Sequence, residues 1–108
     1  MRLYLSGKIS GNENYKEDFS SGRAMLENAG YDVCDPTTFD FPEDVSWDEA
    51  MKYDIREMLR CDGVALLENW EESKGACIEA RLASDLGMAT RLLSRWVKEA
   101  GKETGEAE

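Results

Sequence analysis

Residues 63–87, GVALLENWEESKGACIEARLASDLG, decide the fold of this chain. They open with a continuous apolar run, 63–68, which is typical of a strand buried on both faces of a parallel sheet. Ser73 then stands where the N-cap of a helix is expected, and Gly87 stands where that helix would end. The stretch therefore predicts a buried strand, a polar turn and a helix.

The alternation of strand and helix continues on both sides of this stretch. Residues 2–6 (RLYLS) and 31–34 (YDVC) predict two earlier strands, and residues 88–93 predict a later one. Apolar residues at helical spacing predict helices over 14–29 and 47–61. The order β-α-β-α-β-α-β predicts an α/β fold, because right-handed crossovers produce a parallel sheet covered on both faces. We expect a flavodoxin-like or Rossmann-like three-layer sandwich, with strand order 2-1-3-4 and room for a fifth strand.

Composition limits the classes of partner. The 108 residues fit one domain, 1–96, followed by a charged tail, 97–108, for which we expect no fixed structure. A net charge of -10 would repel a phosphate backbone, so we expect no nucleic-acid polymer as partner. No apolar run approaches the roughly 20 residues of a membrane span, and no signal peptide is recognisable. Three scattered cysteines suit a reducing compartment, so we expect a cytoplasmic protein without a membrane partner.

The absence of histidine limits the chemistry. It excludes Ser-His and Cys-His nucleophile pairs and removes the commonest zinc ligand. We therefore expect neither a metal nor another cofactor, and reactive groups drawn from carboxylates, hydroxyls, lysine or arginine.

The expected sheet predicts where a ligand binds. Open parallel sheets bind ligands outside the carboxyl ends of their strands, which here are followed by 7–11, 35–36 and 68–75. The residues that we expect to contact a ligand there are Gly7, Lys8, Ile9, Ser10, Gly11, Ser73 and Gly75.

Two carboxylates stand out by helical phase. Asp54 lies on the same face as Met51 and Met58, and Glu79 lies on the same face as Ala76 and Ala83. Charged side chains on apolar faces are costly unless they are paired or functional. A nucleophilic carboxylate beside a protonatable one is the arrangement used in glycosidic-bond chemistry. The alternative is structural, in which each carboxylate caps a neighbouring segment or pairs with an arginine.

Four blocks of sequence carry a family resemblance. They are 4–11 (YLSGKISG), 30–36 (GYDVCDP), 54–64 (DIREMLRCDGV) and 70–79 (WEESKGACIE). With these blocks in this order, the chain resembles the nucleoside 2-deoxyribosyltransferase-like superfamily over residues 2–93. It is most similar to the short phage and bacterial members, whose function is unknown.

The resemblance implies roles for individual residues. It implies that Glu79 attacks the anomeric carbon of a 2-deoxyribosyl group, that Tyr4 orients Glu79, and that Asp54 handles the proton of the departing base. Ser73 stands where the monophosphate hydrolases of this superfamily have a phosphate-binding serine and the transferases have an aspartate. Ser10 departs from the pattern, because those hydrolases carry an arginine there. The resemblance also implies a homodimer or a larger homo-oligomer, since relatives complete their pockets from a neighbouring subunit.

Two functions from different classes remain open at this stage. The first is N-glycosidic bond cleavage or deoxyribosyl transfer on a 2′-deoxynucleoside or its 5′-monophosphate. The second is a non-catalytic nucleotide-binding protein that sequesters or senses its ligand. In both, the partner is a small nucleoside or nucleotide.

Overall fold

The computed structural model describes the backbone of residues 1–105 and the side chains of residues 1–101. Four strands alternate with four helices in this part of the chain. In chain order they are β1 (Arg2–Ser6), α1 (Tyr15–Asn28), β2 (Asp32–Cys34), α2 (Trp47–Met58), β3 (Gly63–Leu66), α3 (Lys74–Asp85), β4 (Ala89–Leu92) and α4 (Leu93–Gly105). Two short 3-10 helices, Pro36–Thr38 and Trp70–Glu72, lie in the loops that follow β2 and β3.

The sheet is parallel throughout and has the order β2-β1-β3-β4. Tyr4 of β1 lies between Cys34 of β2 and Val64 of β3 in the register. The predicted α/β fold and strand order are therefore confirmed, with four strands among the described residues. Because β2 lies on one side of β1 and β3 on the other, the crossovers diverge at β1 and leave a crevice at the carboxyl ends of these strands.

The core has two parts, one on each face of the sheet. The part beneath α2 and α3 is formed by Tyr4, Cys34, Met58, Cys61, Val64, Leu66, Ala80 and Ala83. The part beneath α1 and α4 is formed by Leu3, Leu5, Phe19, Leu26, Ala65, Leu93 and Trp96. Successive side chains of a strand point to opposite faces, so β1 contributes alternately to both parts.

Local capping fixes the starts of the two helices that border the crevice. The Ser46 hydroxyl accepts from the Glu49 amide at 3.1 Å and donates to the Glu49 carboxylate at 3.1 Å, and so caps the start of α2. The Ser73 hydroxyl accepts from the Ala76 amide at 3.1 Å and caps α3. Gly87, with φ of +80°, follows the end of α3.

The predicted boundary at residue 96 is corrected by α4. This helix begins at Leu93 and reaches Gly105, so residues 97–105 are helical rather than part of a tail. Trp96 is 2% exposed, and its indole nitrogen donates to the carbonyl oxygen of Val64 at 2.9 Å. Leu93 and Ala100 are also buried, which anchors a highly charged helix on the sheet. Residues 106–108 of the predicted tail lie outside the described part of the chain.

None of the helices in the described part of the chain has the length and apolar character that a membrane crossing requires.

Candidate functional site

A cavity of about 520 Å³ lies at the carboxyl ends of β1 and β2, between the first turns of α2 and α3. Its volume falls within the range of small-molecule sites, which is about 300–1,000 Å³. Its polar wall comes from β1, α2 and α3, and its apolar wall comes from the loop between β2 and α2.

Glu79 lies on the wall of this cavity and is 5% exposed. The Tyr4 hydroxyl donates to Glu79 Oε2 at 2.7 Å, and the Ser6 hydroxyl donates to Glu79 Oε1 at 2.8 Å. Tyr4 and Ser6 reach the same carboxylate because residues two apart on a strand point to one face. Each oxygen of Glu79 is therefore held by a hydroxyl group of β1.

Burial and hydrogen bonding act on the pKa of Glu79 in opposite directions. Burial raises it and the hydrogen bonds from Tyr4 and Ser6 lower it, and the balance leaves the pKa at about 6, above the ordinary value of 4.5. Burial and the negative charge of Glu79 raise the pKa of Tyr4 well above its usual range, so Tyr4 remains a protonated donor at physiological pH. Glu79 is consequently mostly ionised above neutral pH while its two donors stay in place.

Asp54 faces the same cavity from α2. Its Oδ1 atom is the one buried side-chain oxygen or nitrogen without a hydrogen-bond partner among the residues that the structure describes. Burial raises the pKa of Asp54 to about 7, with a further contribution from the negative charge of Glu79. Near neutral pH the two carboxyl groups therefore differ, with Glu79 favouring the ionised form and Asp54 still substantially protonated.

The first turn of α3 forms one end of the cavity. Ser73, Lys74 and Gly75 line it, and the amides of this turn have no carbonyl partner within the helix. A Cβ atom added at Gly75 would lie 3.0 Å from Met51 Sδ. The missing side chain at Gly75 therefore lets α2 and α3 approach each other beside the cavity.

Part of the loop after β1 also lines the cavity, namely Gly7, Ile9 and Ser10. A Cβ atom added at Gly7 would lie 2.6 Å from Leu67 Cδ1, so this position requires glycine for close packing.

The two other expected contacts of this loop, Lys8 and Gly11, are not cavity-lining residues. Lys8 Nζ lies 3.3 Å from Glu72 Oε1, and the Lys8 amide donates to Asn69 Oδ1 at 3.1 Å. Gly11 has a φ of +78° and lies in the turn between β1 and α1. Lys8 therefore joins the loop after β1 to the segment before α3.

Sequence reasoning overlooked Ser6 as a site residue, although its position two residues after Tyr4 on a predicted strand was a usable signal. It also overlooked the aromatic wall formed by Phe39 and Phe41, which pack edge-on against Tyr53 with ring centroids 5.0 and 5.3 Å away. It overlooked Trp47 as well, which lines the cavity and is 44% exposed.

Among the side chains that the structure describes, no group of three or more His, Cys, Asp or Glu residues is arranged to hold a metal ion. The polar chemistry on the cavity wall comes from carboxylates, hydroxyls and one lysine.

A solved structure with a similar fold is the 2-deoxyribosyltransferase from the psychrotolerant bacterium Bacillus psychrosaccharolyticus. The TM-score is 0.67 and the identity 20%, over 85% of this chain and 71% of that chain. The likeness agrees with the α/β sandwich described above. A search of the curated proteins found no significant match. A family model described as a domain of unknown function, DUF4406, matches residues 1–91. The chain therefore belongs to the DUF4406 family.

Proposed function

We propose that this protein cleaves the N-glycosidic bond of a 2′-deoxynucleoside or its 5′-monophosphate and passes the sugar to water or to another base. The observation that carries the proposal is the carboxyl pair in one cavity. Glu79 is buried and held at both oxygens, and Asp54 beside it has a pKa of about 7. The fold shared with a 2-deoxyribosyltransferase adds support.

In the proposed reaction Glu79 is the nucleophile. A carboxylate oxygen bonds to the anomeric carbon as the bond from that carbon to the base nitrogen breaks. The electron pair of the broken bond goes to the base, and protonated Asp54 supplies the proton that the base takes up. Tyr4 and Ser6 keep the carboxylate in position for this attack. Double displacement at one carbon retains the configuration of the sugar.

In the second step the acceptor replaces Glu79 at the anomeric carbon. Asp54, now ionised, takes a proton from the acceptor, which is a water molecule or a second base, and Glu79 leaves as a carboxylate. Both groups return to their starting protonation states, so the cycle is balanced without a metal or a redox cofactor as reactant.

We also propose an oligomeric state and a cellular compartment for the enzyme. The family resemblance supports a homodimer or larger homo-oligomer, which light scattering on the purified protein would detect. Three free cysteines, Cys34, Cys61 and Cys77, suit the reducing conditions of a cytoplasm.

Direct detection of base release tests the proposal. The protein is incubated with each of the four deoxynucleosides and their 5′-monophosphates, and free base is measured by chromatography. We expect release from at least one substrate and its loss in Glu79→Gln, which keeps the size and hydrogen-bonding capacity of the side chain. Glu71→Gln, an exposed change just before α3, is the matched control and should keep the activity. Base release that persists in Glu79→Gln would exclude Glu79 as the nucleophile.

The second candidate is a nucleotide-binding protein without turnover. Among the residues that the structure describes, no arginine lines the cavity, and this favours the second candidate, because arginine is the preferred partner for a phosphate that must be held for reaction. Calorimetric binding with no base release across the same panel would support this candidate, and measurable release would exclude it.

A further inference from the structure

Two of the three cysteines lie together in the part of the core beneath α2 and α3. Cys34 is 3% exposed at the end of β2, and Cys61 is 8% exposed between α2 and β3. A hydrogen bond joins the two thiols, and neither takes part in the proposed reaction. We propose that Cys34 and Cys61 form an oxidative modification site, at which hydrogen peroxide converts the two thiols into a disulfide.

The surroundings of the two thiols give them different roles. The hydrogen bond from Cys61 lowers the pKa of Cys34, and this effect, with the positive charge of Arg2, outweighs burial and the negative charges of two neighbouring carboxylates, Glu57 and Asp35. The same hydrogen bond and burial raise the pKa of Cys61 above its usual range. Cys34 is therefore the thiolate, which is the form that attacks peroxide, and Cys61 is the protonated thiol beside it that resolves the product.

The burial of the pair selects a small oxidant. The disulfide of a peptide cannot reach a sulfur atom at this depth without local unfolding, whereas hydrogen peroxide is only slightly larger than water. Cys61 Sγ also lies 3.5 Å from the carbonyl oxygen of Glu57, which gives its proton a second acceptor while Cys34 reacts. Cys77 differs from this pair, because it is only half-buried and its Sγ lies 3.6 Å from the carbonyl oxygen of Glu71.

The oxidation has two balanced steps. In the first, the Cys34 thiolate attacks one oxygen of hydrogen peroxide, the O–O bond breaks, and the other oxygen takes up a proton and leaves as water. Cys34 is then a sulfenic acid. In the second, the sulfur of Cys61 bonds to the sulfur of Cys34, the S–O bond breaks, and the hydroxyl group leaves with the Cys61 proton as a second water. Two electrons pass from the thiols to the peroxide, which is reduced to water.

The disulfide would act on the carboxyl pair of the cavity. Cys34 is the register partner of Tyr4, and Cys61 follows the end of α2, the helix that carries Asp54. The pKa of Asp54 is raised by burial, by the negative charge of Glu79 and by the negative charge of Cys34. A disulfide carries no charge, so oxidation removes the last of these contributions. The pKa of Asp54 should therefore be lower in the oxidised protein than in the reduced protein.

Thiol mapping of the natural protein tests the site. The reduced protein is treated with hydrogen peroxide, unfolded, alkylated with iodoacetamide and digested for mass spectrometry. We expect the number of alkylated thiols to fall from three to one, with Cys77 still alkylated, a peptide that joins Cys34 to Cys61, and recovery of all three thiols with dithiothreitol. Cys61→Ser should stop at a sulfenic acid on Cys34, which dimedone labels, and Cys34→Ser should leave Cys61 unoxidised. Cys77→Ser is the matched control and should still form the disulfide. 

Several outcomes would overturn the inference. They are three thiols that all remain alkylated after peroxide, a disulfide that includes Cys77, and oxidation of Cys34 to a sulfinic acid without a disulfide. Mapping on the natural protein decides between these outcomes even if a serine variant fails to fold. An NMR titration of the Asp54 carboxyl group in the reduced and oxidised proteins tests the link to the cavity, and an equal pKa in both would refute that link. None of these measurements requires base release, so failure of the proposed function would leave the oxidation site in place.

Discussion

Replacing Glu79 by glutamine should stabilise the protein at alkaline pH. Burial raises the pKa of Glu79 above its ordinary value, so the folded state binds this proton more tightly than the unfolded state. A group of this kind contributes most stability below its unfolded pKa and loses it as the pH rises through the folded pKa. Glutamine resembles the neutral carboxyl group at every pH, and its amide still accepts from Tyr4 and donates to Ser6. The variant therefore keeps the contacts and avoids the cost of ionising a buried group.

The size of the effect follows from the pKa of Glu79. A rise from 4.5 to about 6 corresponds to about 2 kcal/mol, at about 1.4 kcal/mol for each pKa unit. Glu79 is almost fully buried, so solvent screening reduces this figure little. Between pH 5 and pH 8 the stability difference between Glu79→Gln and the natural protein should grow by about 1 kcal/mol, to about 2 kcal/mol. Asp54 should add to the stability gained in Glu79→Gln, because the negative charge of Glu79 contributes to the raised pKa of Asp54.

Urea denaturation followed by circular dichroism at pH 5, 6, 7 and 8 measures this difference. Starting at pH 5 keeps the protein away from its isoelectric point of about 4.5. Glu71→Gln, an exposed change in the same segment of the chain, should show no growth with pH. A Glu79→Gln variant that is less stable than the natural protein at pH 8, or a stability difference that does not change with pH, would refute the reasoning.

Three further predictions concern the carboxyl pair and α4. The rate of base release should peak between pH 6 and pH 7, because Glu79, with a pKa of about 6, must be ionised and Asp54, with a pKa of about 7, must be protonated. Asp54→Asn should therefore abolish the alkaline limb of the pH-rate profile. Tyr4→Phe should shift the acid limb upward by about 1–2 pH units, because a hydrogen bond to a charged group is worth about 1.5–3 kcal/mol. An unchanged acid limb in Tyr4→Phe would contradict this. Trp96→Phe should lower the unfolding free energy by about 0.5–1.5 kcal/mol, measured by urea denaturation, because the hydrogen bond from the indole nitrogen to the carbonyl oxygen of Val64 is lost. No change would mean that α4 contributes little to the core.

The parts of the fold that could be predicted from sequence have local signals. Residues 63–66 form a buried strand because they are continuously apolar, and Ser46 and Ser73 start helices because their hydroxyls cap backbone amides. Helix α4 was missed because its apolar residues, such as Leu93 and Trp96, are few among many charged ones. Its position depends on contacts with the distant strand β3, which local composition does not report.

The candidate site also contains some residues that local sequence signals predict and others that they do not. Asp54 and Glu79 were found by helical phase, since both lie on faces that are otherwise apolar. The orientation of Lys8 could not be found, because its ion pair joins it to Glu72, which lies 64 positions away in sequence. The wall formed by Phe39 and Phe41 lies in an irregular loop, where no period indicates which side chains face inward.

A comparison of two buried carboxylates, Asp35 and Glu79, argues against a purely structural role for Glu79. Asp35 is 6% exposed and does local work, accepting from the amide and hydroxyl of Thr37 two residues later. Glu79 instead accepts from two hydroxyls of β1, more than 70 positions away, and it caps no segment through them. These neutral donors only partly offset the cost of burial, so its pKa stays above 4.5. An arginine partner would have lowered the pKa and stabilised the fold further. The arrangement leaves a carboxylate that is fixed in place, facing a cavity and unneutralised, which is what a nucleophile requires and what a structural ion pair would remove.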